Sequence, residues 1–107
     1  MAGAALRATK ALIERGLTPL ATVRENARAT DLAFRSISLE SCVVRCVDQI
    51  ASEDHIALAT MLAQGDFTRA AIVYTAEDQP HLTGEIEAYP ISRIDELAAS
   101  LARESAP

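Results

Sequence analysis

The sequence is poor in aromatic residues, with no tryptophan, two phenylalanines and two tyrosines among its 107 residues. Half of the residues are nevertheless hydrophobic, so the core must be built mainly from alanine, leucine, isoleucine and valine. No stretch approaches the roughly 20 consecutive apolar residues that a membrane-spanning helix requires. Internal repeats and low-complexity segments are also missing. These absences argue against helical membrane proteins, repeat proteins and disordered chains, and predict one ordered domain over residues 1–107.

Cysteine is scarce, since Cys42 and Cys46 are the only two in the chain. The first sixteen residues, MAGAALRATKALIERG, lack the continuous apolar run of a signal peptide, so we expect a cytoplasmic location and reduced thiols. Cysteines four residues apart on one strand are separated by roughly 13 Å, which is too far for a disulfide bond. We therefore interpret both as small buried hydrophobic residues.

Several motifs of known chemistry are missing as well. The sequence has no glycine-rich phosphate loop, nucleophile elbow or paired-cysteine metal motif, and its two histidines lie in no zinc-binding spacing. Acidic residues outnumber basic ones by 15 to 10, for a net charge of −5. This charge disfavours non-specific binding to DNA or to an anionic membrane, although nine arginines leave room for a local basic patch.

Hydrophobic periodicity predicts an α/β domain with the element order α-β-β-β-α-β-β-α and a mixed sheet of about five strands. The first three strands follow one another so closely that they must pair antiparallel. The fourth contains the unbroken apolar run AAIVY, which predicts a central strand covered on both faces. The predicted helices cover residues 3–15, 52–64 (with Ser52 as N-cap) and 93–103, the predicted strands cover 20–25, 30–37, 41–49, 68–75 and 84–91, and a polar link covers 76–83.

This order resembles the core of the PD-(D/E)XK, or restriction-endonuclease-like, superfamily, and above all the small domains of type IV restriction enzymes and junction resolvases. The resemblance implies an acid near the second strand and an acid-x-Lys pair on the third, which together hold a divalent metal. Asp31, in the segment ATDLAF, lies where the first acid is implied, and the strand CVVRCVD lies where the pair is implied. The segment GDFTRAAIVYT is similar to the helix-to-strand passage of that family.

The third strand departs from this pattern, because Arg45 and Val47 stand where the resemblance implies an acid and a lysine. In the chemistry that the resemblance implies, carboxylates hold Mg²⁺ and the lysine orients or activates the attacking water. A register shifted by one residue offers Cys46 and Asp48 instead, again without a lysine, and the only lysine in the chain is Lys10 on the first helix. We therefore expect no catalytic site, no metal and no cofactor.

Three functional hypotheses follow. The first is a non-catalytic nuclease-like domain that acts through protein–protein contacts as a binding or regulatory module in a DNA-handling system, such as plasmid transfer, phage or repair machinery. The second is a metal-dependent DNA nuclease with a rearranged Mg²⁺ site built from Glu14, Asp31, Asp48 and Lys10. The third is an unrelated α/β interaction domain.

Arg45 is a candidate binding residue on a predicted buried strand, on the same face as Val43 and Val47. Because an isolated buried charge is costly, its guanidinium must have a partner. One interpretation pairs it with Asp31, the favoured carboxylate, or with Glu14. The other makes it a contact for a phosphate or an acidic partner.

The predicted strand at residues 84–91 offers a second candidate surface. Alternation turns one side inward and leaves Tyr89 and Ile91 outside, on the uncovered face of a small domain. We expect these two residues to form a homodimer interface or a docking site for another protein. Glu85 and Glu87 alongside would then determine specificity more than affinity.

Overall fold

The computed structural model describes residues 2–76, 81–83 and 86–102. Within these ranges the chain forms three α-helices and six strands in the predicted order, with one short strand added. The helices are α1 (Ala2–Glu14), α2 (Ser52–Ala63) and α3 (Ile94–Ala102), and the strands are β1 (Thr18–Glu25), β2 (Ala29–Arg35), β3 (Ser41–Val47), β4 (Arg69–Tyr74), β5 (His81–Thr83) and β6 (Ile86–Pro90).

The strands form one mixed sheet in the order β1-β2-β3-β4-β6-β5. The meander of β1, β2 and β3 is antiparallel, and β4 lies parallel between β3 and β6, which confirms the predicted meander and central strand. The polar link predicted over residues 76–83 is wrong at its end, because β5 pairs antiparallel with β6. Three residues are too few to display an alternating pattern, so periodicity could not detect this strand.

Helices cover the sheet on both faces. α1 and α3 pack on one face, where the core includes Ala8, Leu12, Phe34, Cys42, Val44, Cys46, Val73, Tyr89, Leu97 and Leu101. α2 packs on the other face, where the core includes Ala29, Val43, Val47, Leu58, Ile72, Tyr74 and Ala88. Val43 and Val47 are both fully buried, as predicted.

The centre of the sheet and its β1 edge differ in how far they are covered. Every residue of β4 after Arg69 is buried, because helices lie above and below this central strand. Every residue of β1, in contrast, is exposed. β1 is an edge strand, and its pairing with β2 shifts register twice, between Pro19 and Ala21 and between Thr22 and Arg24. Such irregularities and an edge proline hinder the addition of a further strand.

The helix ends differ from the sequence-based prediction in detail. Ala51, rather than Ser52, is the N-cap of α2, and its backbone N–H donates to Asp54 Oδ2 at 2.8 Å. α2 is apolar around most of its circumference, which predicted deep packing, yet only Asp54 and Leu58 are buried and Ile56 is 66% exposed.

No helix in the described ranges is long and apolar enough to cross a bilayer.

The final helix has the predicted buried stripe, formed by Ile94, Leu97, Ala98 and Leu101. It starts later than predicted, because a single 3-10 turn over Ile91–Arg93 separates it from β6. Ser92 lies within this turn. Through this turn the chain reverses onto the sheet and packs α3 against the strand that it follows.

Candidate functional site

A buried ion pair joins β2 and β3, two neighbouring strands of the antiparallel meander. Asp31 on β2 and Arg45 on β3 are directly opposite each other in the antiparallel ladder, on the face covered by α2. Arg45 Nε donates to Asp31 Oδ1 at 2.7 Å, and Arg45 Nη2 donates to Asp31 Oδ2 at 2.8 Å. The favoured pairing of Arg45 with Asp31 is therefore confirmed, and its geometry is bidentate.

Asp54 extends this pair into a network. It lies in the first turn of α2, so the helix N-terminus holds its carboxylate against the sheet. Arg45 Nη1 donates to Asp54 Oδ1 at 3.1 Å. Arg28 donates to both oxygens of the same carboxylate, each at 2.6 Å. Asp54 thus accepts hydrogen bonds from two guanidinium groups and from the N-cap backbone.

Arg28 is held at the mouth of the network by the turn between β1 and β2. Asn26 Oδ1 accepts hydrogen bonds from the backbone N–H groups of Arg28 and Ala29, both at 2.9 Å. This Asx-type turn fixes the backbone position from which the Arg28 side chain extends toward Asp54. At the surface, Arg28 Nε lies 3.3 Å from Glu53 Oε1. The network consequently runs from solvent at Glu53 to the interior at Asp31.

The network is sealed from solvent at its inner end. Arg45 is 5% exposed, Asp31 1% and Asp54 0%. Burial by itself raises the pKa of the Asp54 carboxyl, but hydrogen bonds from Arg28, the Ala51 backbone and Arg45 outweigh it and leave the pKa below its ordinary value. Hydrogen bonds to Asp31 likewise raise the pKa of the Arg45 guanidinium, against the opposing effect of burial. Two arginines therefore neutralise two aspartates, which offsets the cost of burying them.

This arrangement is poorly suited to acid–base or metal chemistry. Each carboxylate in the network is held by at least one arginine, so a cation would have to displace a guanidinium to bind there. Across the residues that the structure describes, no group of three or more histidine, cysteine, aspartate or glutamate side chains is close enough to hold a metal ion.

The structure does not bring together the four residues of the predicted rearranged nuclease site. Lys10 and Glu14 are exposed on α1, which packs on the opposite face of the sheet from Asp31. Asp48 follows β3 and accepts a hydrogen bond from the Thr75 hydroxyl. The alternative pairing of Arg45 with Glu14 is also wrong, because Arg45 pairs with Asp31 and Asp54. The sheet separates the α1 residues from the acid that they would have to assist.

The predicted uncovered surface on β6 is wrong. Tyr89 is only 8% exposed and belongs to the core under α1 and α3, and Ile91 packs against the same core. Glu87 is half-buried and accepts a hydrogen bond from Ser100 Oγ at 2.7 Å. Glu85 lies outside the described residues. The side of the strand that alternation left outside is covered because α3 folds back onto it.

Sequence reasoning missed Arg28 and Asp54, which extend the buried ion pair toward Glu53 at the surface. Asp54 did carry a signal, since an acid in the first helical turn often accepts a hydrogen bond from the N-cap. That signal pointed to capping and not to a second arginine partner. Arg28 sits in a polar turn, where nothing in the local pattern distinguishes it from a solvated arginine.

The cysteines give a simple solution test of the fold. Cys42 and Cys46 lie on the α1–α3 side of β3, free and fully buried. Burial, together with the nearby charge of Asp31, raises the pKa of the Cys46 thiol to about 12. We expect both thiols to stay unmodified by a thiol-reactive disulfide reagent in the native protein at pH 8 and to react fully in denaturant. Rapid native reaction of one thiol would show that its side of the sheet is open.

The fold and the network together define a layered α/β domain with a buried, charge-balanced ion-pair network. Comparisons with protein-family models, with curated proteins and with solved structures found no match for this chain. A functional assignment must therefore start from the chain's own residues.

Proposed function

We propose that this chain is a non-catalytic binding module that acts through protein–protein contacts. The observation that carries the proposal is the closed network around Arg45. The carboxylate at the position of an implied metal ligand, Asp31, is occupied by a bidentate arginine and is 1% exposed. A carboxylate engaged in this way is not available to bind a cation or to activate water.

The distribution of exposed apolar side chains supports a binding role. Large hydrophobic residues that remain exposed include Leu6, Ile13, Leu20, Val23, Ile37, Leu39 and Ile56. All but Ile56 lie within the first 39 residues, in α1, in β1 and in the connection between β2 and β3. Single exposed hydrophobic residues need no explanation, but several in one part of a small domain are typical of an interaction surface.

The biological setting belongs to the proposal as well. A DNA-handling system, such as plasmid transfer, phage or repair machinery, is the setting suggested by the resemblance to the restriction-endonuclease-like superfamily. Fold alone does not establish function, so this part rests on the resemblance and on the place of Asp31 and Arg45 in neighbouring strands. In such a setting the chain would recruit or regulate a protein that itself handles DNA.

The absence of nuclease activity is the first prediction of this proposal. We expect no cleavage of single-stranded, double-stranded or branched DNA with Mg²⁺ or Mn²⁺, because the position of the implied lysine holds Val47 and the neighbouring acid is paired. Gel assays with labelled substrates measure this. Asp31→Asn is the matched control. Cleavage by the wild type that this variant abolishes would establish the metal-dependent nuclease instead, whereas cleavage that survives in the variant comes from a contaminant.

The positive half of the proposal is tested by affinity capture. The immobilised chain should retain a specific protein from a lysate of the native host after nuclease treatment, and an unrelated domain of similar size and net charge should not. Nuclease treatment removes partners that are bridged by DNA. Retention that depends on intact DNA would argue for a nucleic-acid-binding role instead.

A further inference from the structure

One face of the sheet has room for a helix that the described chain does not supply. Strands lie about 4.8 Å apart, so six strands span roughly 29 Å. Helices that pack side by side are 8–10 Å apart, so about three fit across such a sheet. On the face opposite α2 the structure places α1 and α3. The position over β1 and β2, beside α1, is left open, and every side chain of β1 is exposed.

This open position is a groove with apolar walls. It encloses about 250 Å³, and its lining includes Thr9 from α1, Pro19, Leu20 and Thr22 from β1, and Leu32 and Phe34 from β2. On the helix, Leu6 and Ile13 lie three residues before and four residues after Thr9, so the three share one side of α1. Leu6 is 62% exposed and Ile13 48% exposed, and Leu20 opposite them is 43% exposed. Leu20 therefore lines the groove from β1, and Leu6 and Ile13 lie beside it on α1.

Charge distinguishes this end of the molecule from the rest. Residues 1–39 contain six basic and three acidic side chains, whereas residues 40–107 contain four basic and twelve acidic ones. Within the first segment, Arg28 and Asp31 belong to the buried network. The exposed charges left in that segment are Arg7, Lys10, Arg15, Arg24 and Arg35 against Glu14 and Glu25. An acidic chain thus carries a locally basic segment, to which α1, one wall of the groove, contributes Arg7 and Lys10 against Glu14.

We propose that this groove binds an amphipathic helix of a partner protein, apolar on one side and acidic on the other; the inference rests on the proposed binding function and deepens it. The apolar side of the helix covers Leu6, Ile13 and Leu20, and its acids face the basic residues of α1. Electrostatic complementarity of this kind raises the association rate and selects the partner. Helix-in-groove recognition through residues spaced three and four apart is a recurrent mode of peptide binding.

Three observations favour a partner helix over the other molecules that could bind at an open sheet edge. An added strand is disfavoured because Pro19 has no N–H to donate and the β1–β2 register is interrupted twice. A second copy docked by two-fold symmetry would bring two basic ends together. Nucleic acid is disfavoured because Phe34, the aromatic residue in the groove lining, is only 1% exposed and so offers no ring on which a base could stack.

The test uses a synthetic peptide of roughly 18 residues, long enough to form a helix on binding. Leucines follow helical spacing along one side, and glutamates fill the other. Two matched peptides serve as controls, one with lysine in place of each glutamate and one with the same composition in scrambled order. We expect the glutamate peptide to bind at least about tenfold more tightly than either control, by fluorescence anisotropy, and to weaken as salt is added.

Surface variants locate the binding site. Leu20→Glu and Lys10→Glu should each weaken the glutamate peptide at least about tenfold, and Lys10→Glu should also reduce the salt dependence. Ile56→Glu is the matched control, because Ile56 is an aliphatic and exposed residue on α2, on the opposite face of the sheet. All three positions are exposed, so unchanged melting curves will show that each variant is folded.

Several outcomes would overturn the groove assignment. One is that the glutamate peptide binds no more tightly than its controls. Another is that wild type and Leu20→Glu bind the glutamate peptide equally. A dimer detected by light scattering and dissociated by Leu20→Glu would show that a second copy of the chain occupies the groove. Binding of a duplex oligonucleotide that Lys10→Glu abolishes would show that nucleic acid does. A host protein captured equally by wild type and Leu20→Glu would preserve the binding function and remove the groove from it.

Discussion

Replacing Arg45 with alanine is expected to lower the free energy of unfolding by about 3–5 kcal/mol, measured by urea denaturation at pH 7. The substitution deprives Asp31, which is 1% exposed, of both of its hydrogen bonds from Arg45. An ionised carboxylate left without a partner in the interior carries a large desolvation cost. Asp54 also loses one donor, although Arg28 still holds it.

Arg35→Ala is the matched control for this experiment. Arg35 is in β2 like Asp31 but is exposed, so its removal should change the free energy of unfolding by no more than about 0.5 kcal/mol. A double substitution of Arg45→Met with Asp31→Leu should recover much of the loss, because removing both charges leaves neither unpaired. An unchanged urea midpoint for Arg45→Ala would contradict the structural role and identify Arg45 as a residue kept for binding.

The elements of the fold were predictable because each has a strong local signal. The alternation in β1 and β2, the unbroken apolar run in β4 and the periodic stripe Ile94–Leu97–Leu101 in α3 all correspond to observed elements. Turns short enough to force antiparallel pairing determined the meander. β5 was missed because three residues show no period, and the α2 cap was misplaced by one residue because serine is a common N-cap whereas alanine is not.

The innermost ion pair was also predictable, and the reason was physical. Arg45 lies in a strand whose other residues are apolar, so it had to be buried, and a buried guanidinium needs a carboxylate. Asp31 was the acid in the strand expected to pair with it. Arg28 and Asp54 could not be deduced in the same way, because their pairing depends on where α2 starts relative to the β1–β2 turn. That is a property of tertiary packing across 26 residues.

The error on Tyr89 has the same origin. Alternation correctly placed Tyr89 and Ile86 on opposite faces of β6. It could not reveal that α3 returns to cover the outer face, because Glu87 on that face gives β6 the alternating pattern of a strand with one solvated side, and not the continuous apolar run of a strand covered on both sides. The strand that is exposed along its whole length is instead β1, although its alternating pattern is typical of a partly buried strand. An exposed strand with an ordinary alternating pattern is consistent with a surface that becomes covered on binding.

Asp54→Ala is expected to have the second large effect, lowering the free energy of unfolding by about 3 kcal/mol or more at pH 7. The carboxylate is 0% exposed and accepts from Arg28, Arg45 and the Ala51 backbone at once. Its loss removes the side-chain hydrogen bond to the N-cap backbone N–H and leaves the guanidinium of Arg45 with Asp31 as its partner. Glu53→Ala is the matched control, since Glu53 is the preceding residue and its pairing with Arg28 is exposed, so it should cost at most about 1 kcal/mol.

Acid should reduce the difference in the free energy of unfolding between wild type and Asp54→Ala. The direction of this change follows from the lowered pKa of the Asp54 carboxyl. A carboxyl whose pKa is lower in the folded state than in the unfolded state stabilises the fold fully above its unfolded pKa, near 4. That stabilisation is lost as the pH falls through the lower, folded pKa. Urea denaturation of both proteins at pH 7 and at successively lower pH below about 4 should therefore show their unfolding free energies converging. A difference that stays constant over this range would mean that Asp54 stabilises the protein by packing and not as a carboxylate held between two arginines.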